Sequence, residues 1–564
     1  MKKYLFILLT SCMLHPSSAQ TEEPVRERMY LQTDQSLYLA GEWVWIKALT
    51  TDRTGKPVTL SKVGYVELID ESAPRIQIKI ELKKGVGEGA FFLPATLPTG
   101  NYRLAGYTRY MRNEGEAVYF NKLLPVVNTF VPRPSISSPS VEKASPVSLL
   151  SPQEGNLHLS LTFPDGRETE VRTPVFCRVE GLPEDVHTLS VSIAGYDSIQ
   201  AVKACGIEDW VQGLASSPLP PFSGEWLPEY EGHILSGKLI DQQAKETSAT
   251  DEKPLALLGF AGKNIRLFNG QIDSTGKVTF FTKRITGMQE LATAALYASP
   301  HRYRVDIQSP FAGHTYTPLP PLELKPEWNE YLLRRSVGLQ VLQLYTADSL
   351  SRTAGPEEAI FQWVPEWRYR LDEYTRFPTM AEVVIEFIPG LRFRKIDDRY
   401  VLSALTEERV GFTQDKSLVL LDGLPITDHG VIYHYNPLQI EEIEVYKGKY
   451  AFGGAVFDGI ASFKTYQGNY AGLTAGGSIQ FFDYEGAQAP RLFYSPSYRT
   501  EEQRRSRLPD YRHTLLWNAQ VEVHRGQAQI PFTTSDLTGA FLIYVEGLRE
   551  NGETLYGTQI IHCP

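Results

Sequence analysis

The chain has 564 residues, 42% of them apolar and 22% charged, a composition that fills ordinary cores and excludes global disorder. At about 150 residues per domain, that length makes three to five domains rather than one. Its formal charge is −10 with acidic and basic residues interspersed, which excludes a general nucleic-acid binder.

Met1-Lys2-Lys3 is followed by a mostly apolar stretch from Tyr4 to Leu14 and then by Pro16-Ser17-Ser18-Ala19. A positive start, a short apolar run and small residues at its end predict a signal peptide over 1–19, cleaved after Ala19. Leu9-Thr10-Ser11-Cys12 offers a competing reading, a lipobox in which Cys12 is lipidated. Further on, no run reaches the roughly 20 apolar residues of a membrane-crossing helix. The mature chain is therefore expected to be exported and to have no transmembrane helix. Cys177, Cys205 and Cys563 are too few for a disulfide scaffold. Cys177 and Cys205 either pair or remain two buried thiols, and Cys563, next to last, reads as a loose end.

From 20 to 130, Leu37-Tyr38-Leu39, Trp43 to Lys47, Gly64 to Ile69 and Gly100 to Leu104 are short strands separated by turns. Such spacing predicts a β-sandwich. Residues 131–152 are rich in Pro and Ser with no apolar period, a linker composition. Period-two alternation at Leu157 to Leu161 and Leu189 to Ile193 opens a second β-sandwich, 153–228. A third, 229–325, contains Ile234 to Leu239, Leu255 to Leu258 and a tight Asp273-Ser274-Thr275-Gly276 turn. Residues 326–375, richer in Leu, Glu and Arg, are a connecting and partly helical segment.

Between 376 and 470 the pattern changes. Thr379 with Glu382 forms a capping box ahead of a short helix that Pro389-Gly390 stops. Leu418 to Leu421 leads into an Asp422-Gly423 hairpin turn, and Ile443 to Tyr446 and Ile460 to Tyr466 are further strands. This is a small α+β module in an otherwise β protein. Residues 471–564 are read as a long loop, Pro490 to His513, followed by C-terminal strands. The expected fold class is mainly β and multidomain, with tandem β-sandwiches plus the one α+β module.

Arg28-Met29-Tyr30-Leu31-Gln32-Thr33-Asp34-Gln35, then Tyr38-Leu39-Ala40-Gly41-Glu42 and Leu97-Pro98-Thr99-Gly100-Asn101-Tyr102, resemble the opening and closing strands of macroglobulin-type β-sandwich domains. The stretch around Glu231-Gly232-His233-Ile234 resembles a carboxypeptidase-regulatory-like sandwich. Pro389-Gly390, Leu421-Asp422-Gly423, Ile443 to Gly448 and the glycines Gly453, Gly454 and Gly459 are similar to the plug domain of TonB-dependent outer-membrane receptors. The combination looks like a family of exported Gram-negative proteins that carry both modules. It implies a periplasmic place, or one on the periplasmic or surface side of the outer membrane. Two departures limit it. The residues after Tyr470 are too few for a receptor barrel of about 22 strands, and the macroglobulin thioester motif Gly-Cys-Gly-Glu-Gln is absent, so covalent protease trapping is not available.

No Walker loop, Gly-x-Ser-x-Gly elbow or His-Glu-x-x-His is present. No enzyme activity, metal or cofactor is expected. His429, His434 and Asp428 read as polar residues at a hairpin tip, and Arg504, Arg505, Arg507 and Arg512 as a loop with local carboxylate partners such as Glu501. The leading expectation is a non-enzymatic envelope scaffold. Its plug-like module would dock to an outer-membrane protein or a component of the TonB system through Asp422, Gly423, Tyr446, Lys447 and Tyr450. The alternative is an accessory protein of TonB-coupled uptake that binds a peptide or glycan directly.

Overall fold

The computed structural model describes residues 23–131, 155–164, 170–196, 206–242, 254–296, 302–346, 364–405, 417–452, 455–470, 479–489 and 491–563. The expected leader with Cys12 and Ala19, nearly all of the Pro/Ser linker, and Cys205 lie outside them. The described chain is mainly β, arranged as several sheets in a multidomain protein.

The first sandwich packs a three-stranded sheet, Arg28–Thr33, Trp43–Thr51 and Val86–Phe92, on a five-stranded one whose order runs Tyr38–Leu39, Phe120–Val127, Gly100–Thr108, Val63–Ile69, Pro74–Glu81. Alternation sorts the faces: Val44 and Ile46 join the core with Leu31, Leu68 and Leu104, whereas Trp43, Trp45 and Lys47 point the other way. Yet Trp45 and Lys47 are also buried. The outer face is covered by a neighbour, and Lys47 Nζ donates to Ser190 Oγ at 3.1 Å across that contact.

That neighbour, the second sandwich, is discontinuous in sequence. One sheet joins His158–Thr162 and Pro174–Glu180 to Gln527–Thr533, and the other runs Thr514–Asn518, Val186–Gly195, Gly539–Arg549, Thr554–Cys563. Cys177 faces Ile530 and Ile193 faces Ile543 in register. The division into a sandwich at 153–228 and separate strands at 471–564 therefore differs from the pairing observed. Alternation marks a strand and its faces but not its partner, and these partners lie more than half the chain apart. Cys563 is no loose end, since it shares one core with Cys177. Both are free buried thiols, and burial pushes them up to about 11 and about 12 respectively.

The third module is a seven-stranded sheet, in the order Tyr303–Ile307, Ile234–Asp241, Lys277–Phe281, Leu267–Ile272, Leu255–Phe260, Met288–Leu296, Ile479–Glu485. Its last strand comes from 471–564, ahead of the segment read as a long loop, and was not separately anticipated. The expected tight turn is present: Asp273 Oδ1 accepts from the Thr275 and Lys277 amides at 2.8 and 3.0 Å, with Gly276 at φ 79°.

The α+β module holds a five-stranded sheet, Trp367–Arg370, Ile440–Phe452, Ala455–Thr465, Leu418–Leu421 and Leu424–Pro425, beside a Leu391–Ile396/Arg399–Ala404 hairpin. Helix Met380–Phe387 starts at the Thr379/Glu382 capping box, both of whose reciprocal hydrogen bonds form. Two more helices, α1 (Ile207–Leu214) and α2 (Asn329–Thr346), lie against the first sandwich. No helix among the described residues is long and apolar enough to cross a membrane.

Candidate functional site

A cavity of about 970 Å³ opens where the first sandwich, the second sandwich, α2 and the segment after Arg491 meet. The first sandwich supplies Trp43 and Trp45, which share the outer face of their strand, and Phe92, which is 40% exposed at the end of the adjacent one. Helix α2 supplies Tyr331, Arg335, Gly338, Leu339 and Leu342, a helical i, i+4, i+7, i+8, i+11 row that makes one face. The opposite face carries Leu333, Val337 and Leu344. The second sandwich contributes Tyr511 to Thr514 and Asp536 to Phe541.

The helix is held in place by polar locks. Arg335 grips Glu42 bidentately at 3.0 and 2.8 Å, with both side chains buried. Gln343 Nε2 donates to the Gly41 carbonyl at 2.6 Å. Gly41 stands at φ 96°, and a Cβ there would meet Leu339 at 3.3 Å, so both backbone conformation and space call for glycine. At Gly338 a Cβ would lie 3.1 Å from that of Tyr511, which sets how closely α2 approaches the second sandwich.

Beneath the cavity Asp34 is fully buried and surrounded by donors: Tyr38 Oη at 2.7 Å, the Trp45 amide at 3.0 Å, Thr514 Oγ1 at 2.9 Å and Gln35 Nε2 at 3.3 Å. Burial pushes its carboxyl up to about 6, against the pull of those bonds. His513 Nε2 and Tyr331 Oη lie 2.9 Å apart, and burial with the nearby Arg335 charge drives this imidazole well below its usual range, so it is neutral. Arg512 is locked to Asp510, and Asp536 to Arg172.

Other lining groups have no such commitments. The Arg491 guanidinium sits 4.5 Å from the centroid of the Trp43 ring. Among the described residues no carboxylate pairs with it, and none hydrogen-bonds the phenols of Tyr494 or Tyr511. Arg334, at the mouth, reaches only Glu330 on the same exposed surface, at 3.3 Å. The arrangement offers hydrogen-bond donors, positive charge and apolar surface to whatever enters.

The residues expected to dock are elsewhere, and mostly inside. Asp422 and Gly423 have φ 45° and 77°, the two positive values of a type I′ hairpin turn. Asp422 is buried and accepts from the Thr465 amide and hydroxyl at 2.7 and 2.6 Å and from the Tyr470 amide at 2.7 Å, while burial raises its carboxyl pKa. Gly423 abuts the third module, where a Cβ would stand 2.6 Å from the Phe260 carbonyl. Tyr446 is 4% exposed and donates to Glu444 at 2.9 Å. Tyr450, half-buried, donates to the Lys447 carbonyl at 3.1 Å, and Lys447 is half-buried too. Asp422 follows Leu421, which faces Phe463 on the central strand, whereas Tyr446 faces Ile460, so these residues do not converge on one surface.

Nor do the other singled-out groups converge. His429 Nδ1 accepts from the Leu402 amide at 3.0 Å, and His434 packs its edge on Tyr400. Among the described residues no three His, Cys, Asp or Glu side chains are grouped to hold a metal. Arg505 pairs with Glu501 at 2.8 Å, as the spacing suggested. The cavity itself went unread. Its available signal was the aromatic pair Phe493-Tyr494, bracketed by Pro490 and Pro496, which is better suited to an extended segment docked on a surface than to a solvated loop.

No protein-family model matches the sequence, and no curated protein matches it. Among solved structures, 95% of the chain aligns with Salmonella α2-macroglobulin reacted with methylamine, at 10% identity and TM-score 0.25, covering 39% of that chain. It aligns likewise with native Escherichia coli α2-macroglobulin, at 10% identity and TM-score 0.23 over 95% of this chain and 40% of that one. Half of it aligns with dimeric latent PorU from Porphyromonas gingivalis, at 12% identity and TM-score 0.17, covering 33% of that chain. The chain thus spans about two fifths of the length of the macroglobulins, and superpositions this loose carry nothing about activity or partner.

Proposed function

We propose that this protein is a non-enzymatic binding protein of the bacterial cell envelope whose ligand site is the cavity between the two sandwiches and α2. The observation that carries the reading is the cavity's lining: the two sandwiches and α2 converge on about 970 Å³ that combines apolar side chains with donors, Arg491 and the Tyr494 and Tyr511 phenols, to which no described residue supplies a carboxylate. The envelope location rests on the leader-like residues 1–19. Of the two readings open from the sequence, direct ligand binding has this support. Docking through Asp422, Gly423 and Tyr446 is left aside because their side chains and backbone are used in contacts within the protein.

The test is to pan a random-peptide display library and a glycan array against wild type and Thr538→Trp. Thr538 is exposed at the cavity rim, so the indole fills the mouth without touching a core. Probes retained by wild type and lost by the variant support the reading. Equal retention by both proteins contradicts it.

A further inference from the structure

We infer that the ligand of this cavity is a short acidic peptide segment bearing a bulky apolar side chain, an inference that rests on the binding reading above. The charges decide its sign. Among the described residues three carboxylates line the cavity, and each is saturated from within. Glu42 takes two bonds from Arg335 and one, at 2.8 Å, from the Leu39 amide. Asp536 takes two from Arg172 at 2.6 Å each and one from the Asp510 amide at 2.8 Å. Asp34 takes the four already described. Arg335 and Arg512 are neutralised by Glu42 and Asp510. Among the described residues the charges left over are Arg491 and Arg334, both positive, and Arg334's exposed partner Glu330 holds it only weakly. Carboxylates on a ligand complement this remainder, and the Tyr494 and Tyr511 hydroxyls add donors for backbone carbonyls.

The apolar part decides between a peptide and a sugar. A glycan stacks on a flat aromatic face that is open to it. Here Arg491 covers Trp43, and Phe92 packs beside it with ring centroids 5.5 Å apart and planes tilted by 58°. Trp45 is 6% exposed, with Phe493 set against it at 5.3 Å and 71°. The open apolar surface is instead the irregular wall made by Phe92, Leu339, Leu342 and Leu537. Such a wall accepts a branched or aromatic side chain, and the cavity's size suits a short segment rather than a domain.

The experiment is fluorescence anisotropy of the full chain with a fluorescein-labelled Gly-Glu-Leu-Glu-Phe-Glu-Leu-Gly peptide. Controls are its Gln-for-Glu form, its Ala-for-Leu/Phe form and, as competitor, an oligogalacturonate. The acidic apolar peptide is expected to bind in a salt-sensitive way. About tenfold in affinity, one charge-assisted contact, should go with the Gln form or with Arg491→Gln, and most of it should return with Arg491→Lys. The Ala form should bind at least as poorly. Equal binding of the Gln peptide, an unaffected Arg491→Gln, stronger competition by the oligogalacturonate than by unlabelled peptide, or no binding of any peptide would each overturn the ligand class. The binding reading is judged separately by Thr538→Trp. Its loss of whichever probe binds keeps the cavity as the site even if the class is wrong, whereas retention removes both.

Discussion

The first sandwich meets its two large neighbours in opposite ways. Toward the third module it closes. Glu229 is fully buried and accepts from Tyr65 Oη at 3.0 Å and from the Ile234 amide at 2.8 Å, with Arg109 and Lys79 close enough to pull its pKa down against burial. Arg109 donates to Ser236 Oγ at 3.0 Å. Lys79 donates to the Glu485 carbonyl and lies 4.4 Å from the Tyr484 ring. His233 Nε2 donates to the Ile285 carbonyl, and its Nδ1 faces Tyr484 Oη, both at 3.2 Å. Toward the second sandwich and α2 the same domain leaves a cavity whose carboxylates are satisfied from within, while among the described residues no carboxylate pairs with Arg491 or with the phenols of Tyr494 and Tyr511. Buried polar groups are costly unless paired, so a densely paired interface holds modules together, while donors left over around an open space mark a place where something else supplies the acceptor.

The largest expected effect breaks the closed side. Glu229→Ala strips Tyr65 and the Ile234 amide of their acceptor and leaves Arg109 and Lys79 without a buried counter-charge, so about 3–5 kcal/mol of stability should be lost in chemical denaturation. The pH dependence sharpens the same point. Burial holds Glu229 at about 7 in the folded protein against an ordinary 4.5, so the folded state binds more protons between those values and this group's contribution falls as pH rises from about 4.5 to 7. Lys79 is lowered from 10.5 to about 8, so its contribution rises with pH from about 8 to 10.5. Comparing thermal unfolding of wild type and Glu229→Gln across pH, the fall in stability between about 4.5 and 7 should be missing from the variant, while the rise above about 8 remains and begins at lower pH, because Lys79 loses a charge that held its proton.

On the open side effects on stability should be smaller. Gly338→Val would press α2 off Tyr511 and cost about 1–3 kcal/mol, read by denaturation, while loosening the helix in hydrogen exchange. Thr538→Trp, at an exposed rim position, should change stability by no more than about 0.5 kcal/mol and yet abolish binding. A large stability loss there would mean that the rim is packed rather than open.

Local chemistry was legible in the sequence, and long-range pairing was not. The Thr379/Glu382 capping box, the Asp273 turn and the Asp422-Gly423 hairpin each depend on residues a few positions apart, and each forms as its spacing dictates. The partners of Leu189 to Ile193 lie beyond residue 510, and Ile479–Glu485 joins a sheet that begins at Ile234. Two incomplete sets of strands, one before and one after the inserted modules, were the available hint that they close one sandwich. The hairpin turn was read correctly as structure, but its φ values and buried Asp422 belong to an internal joint. Trp43 and Trp45 could be placed on a strand, but not on the outer face where both stand and line the cavity, because alternation says that a face is apolar without saying what lies against it. Arg335 and Glu42, like Arg491 and Trp43, are brought together only by the folded chain.

The most direct test of the account is hydrogen exchange of the full chain with and without the Gly-Glu-Leu-Glu-Phe-Glu-Leu-Gly peptide. Protection should appear together in the segments around Trp43, along α2 from Tyr331 to Gln343, and around Arg491 and Thr538. Protection confined to the Asp422 to Tyr450 region, with the cavity segments unchanged, would contradict it.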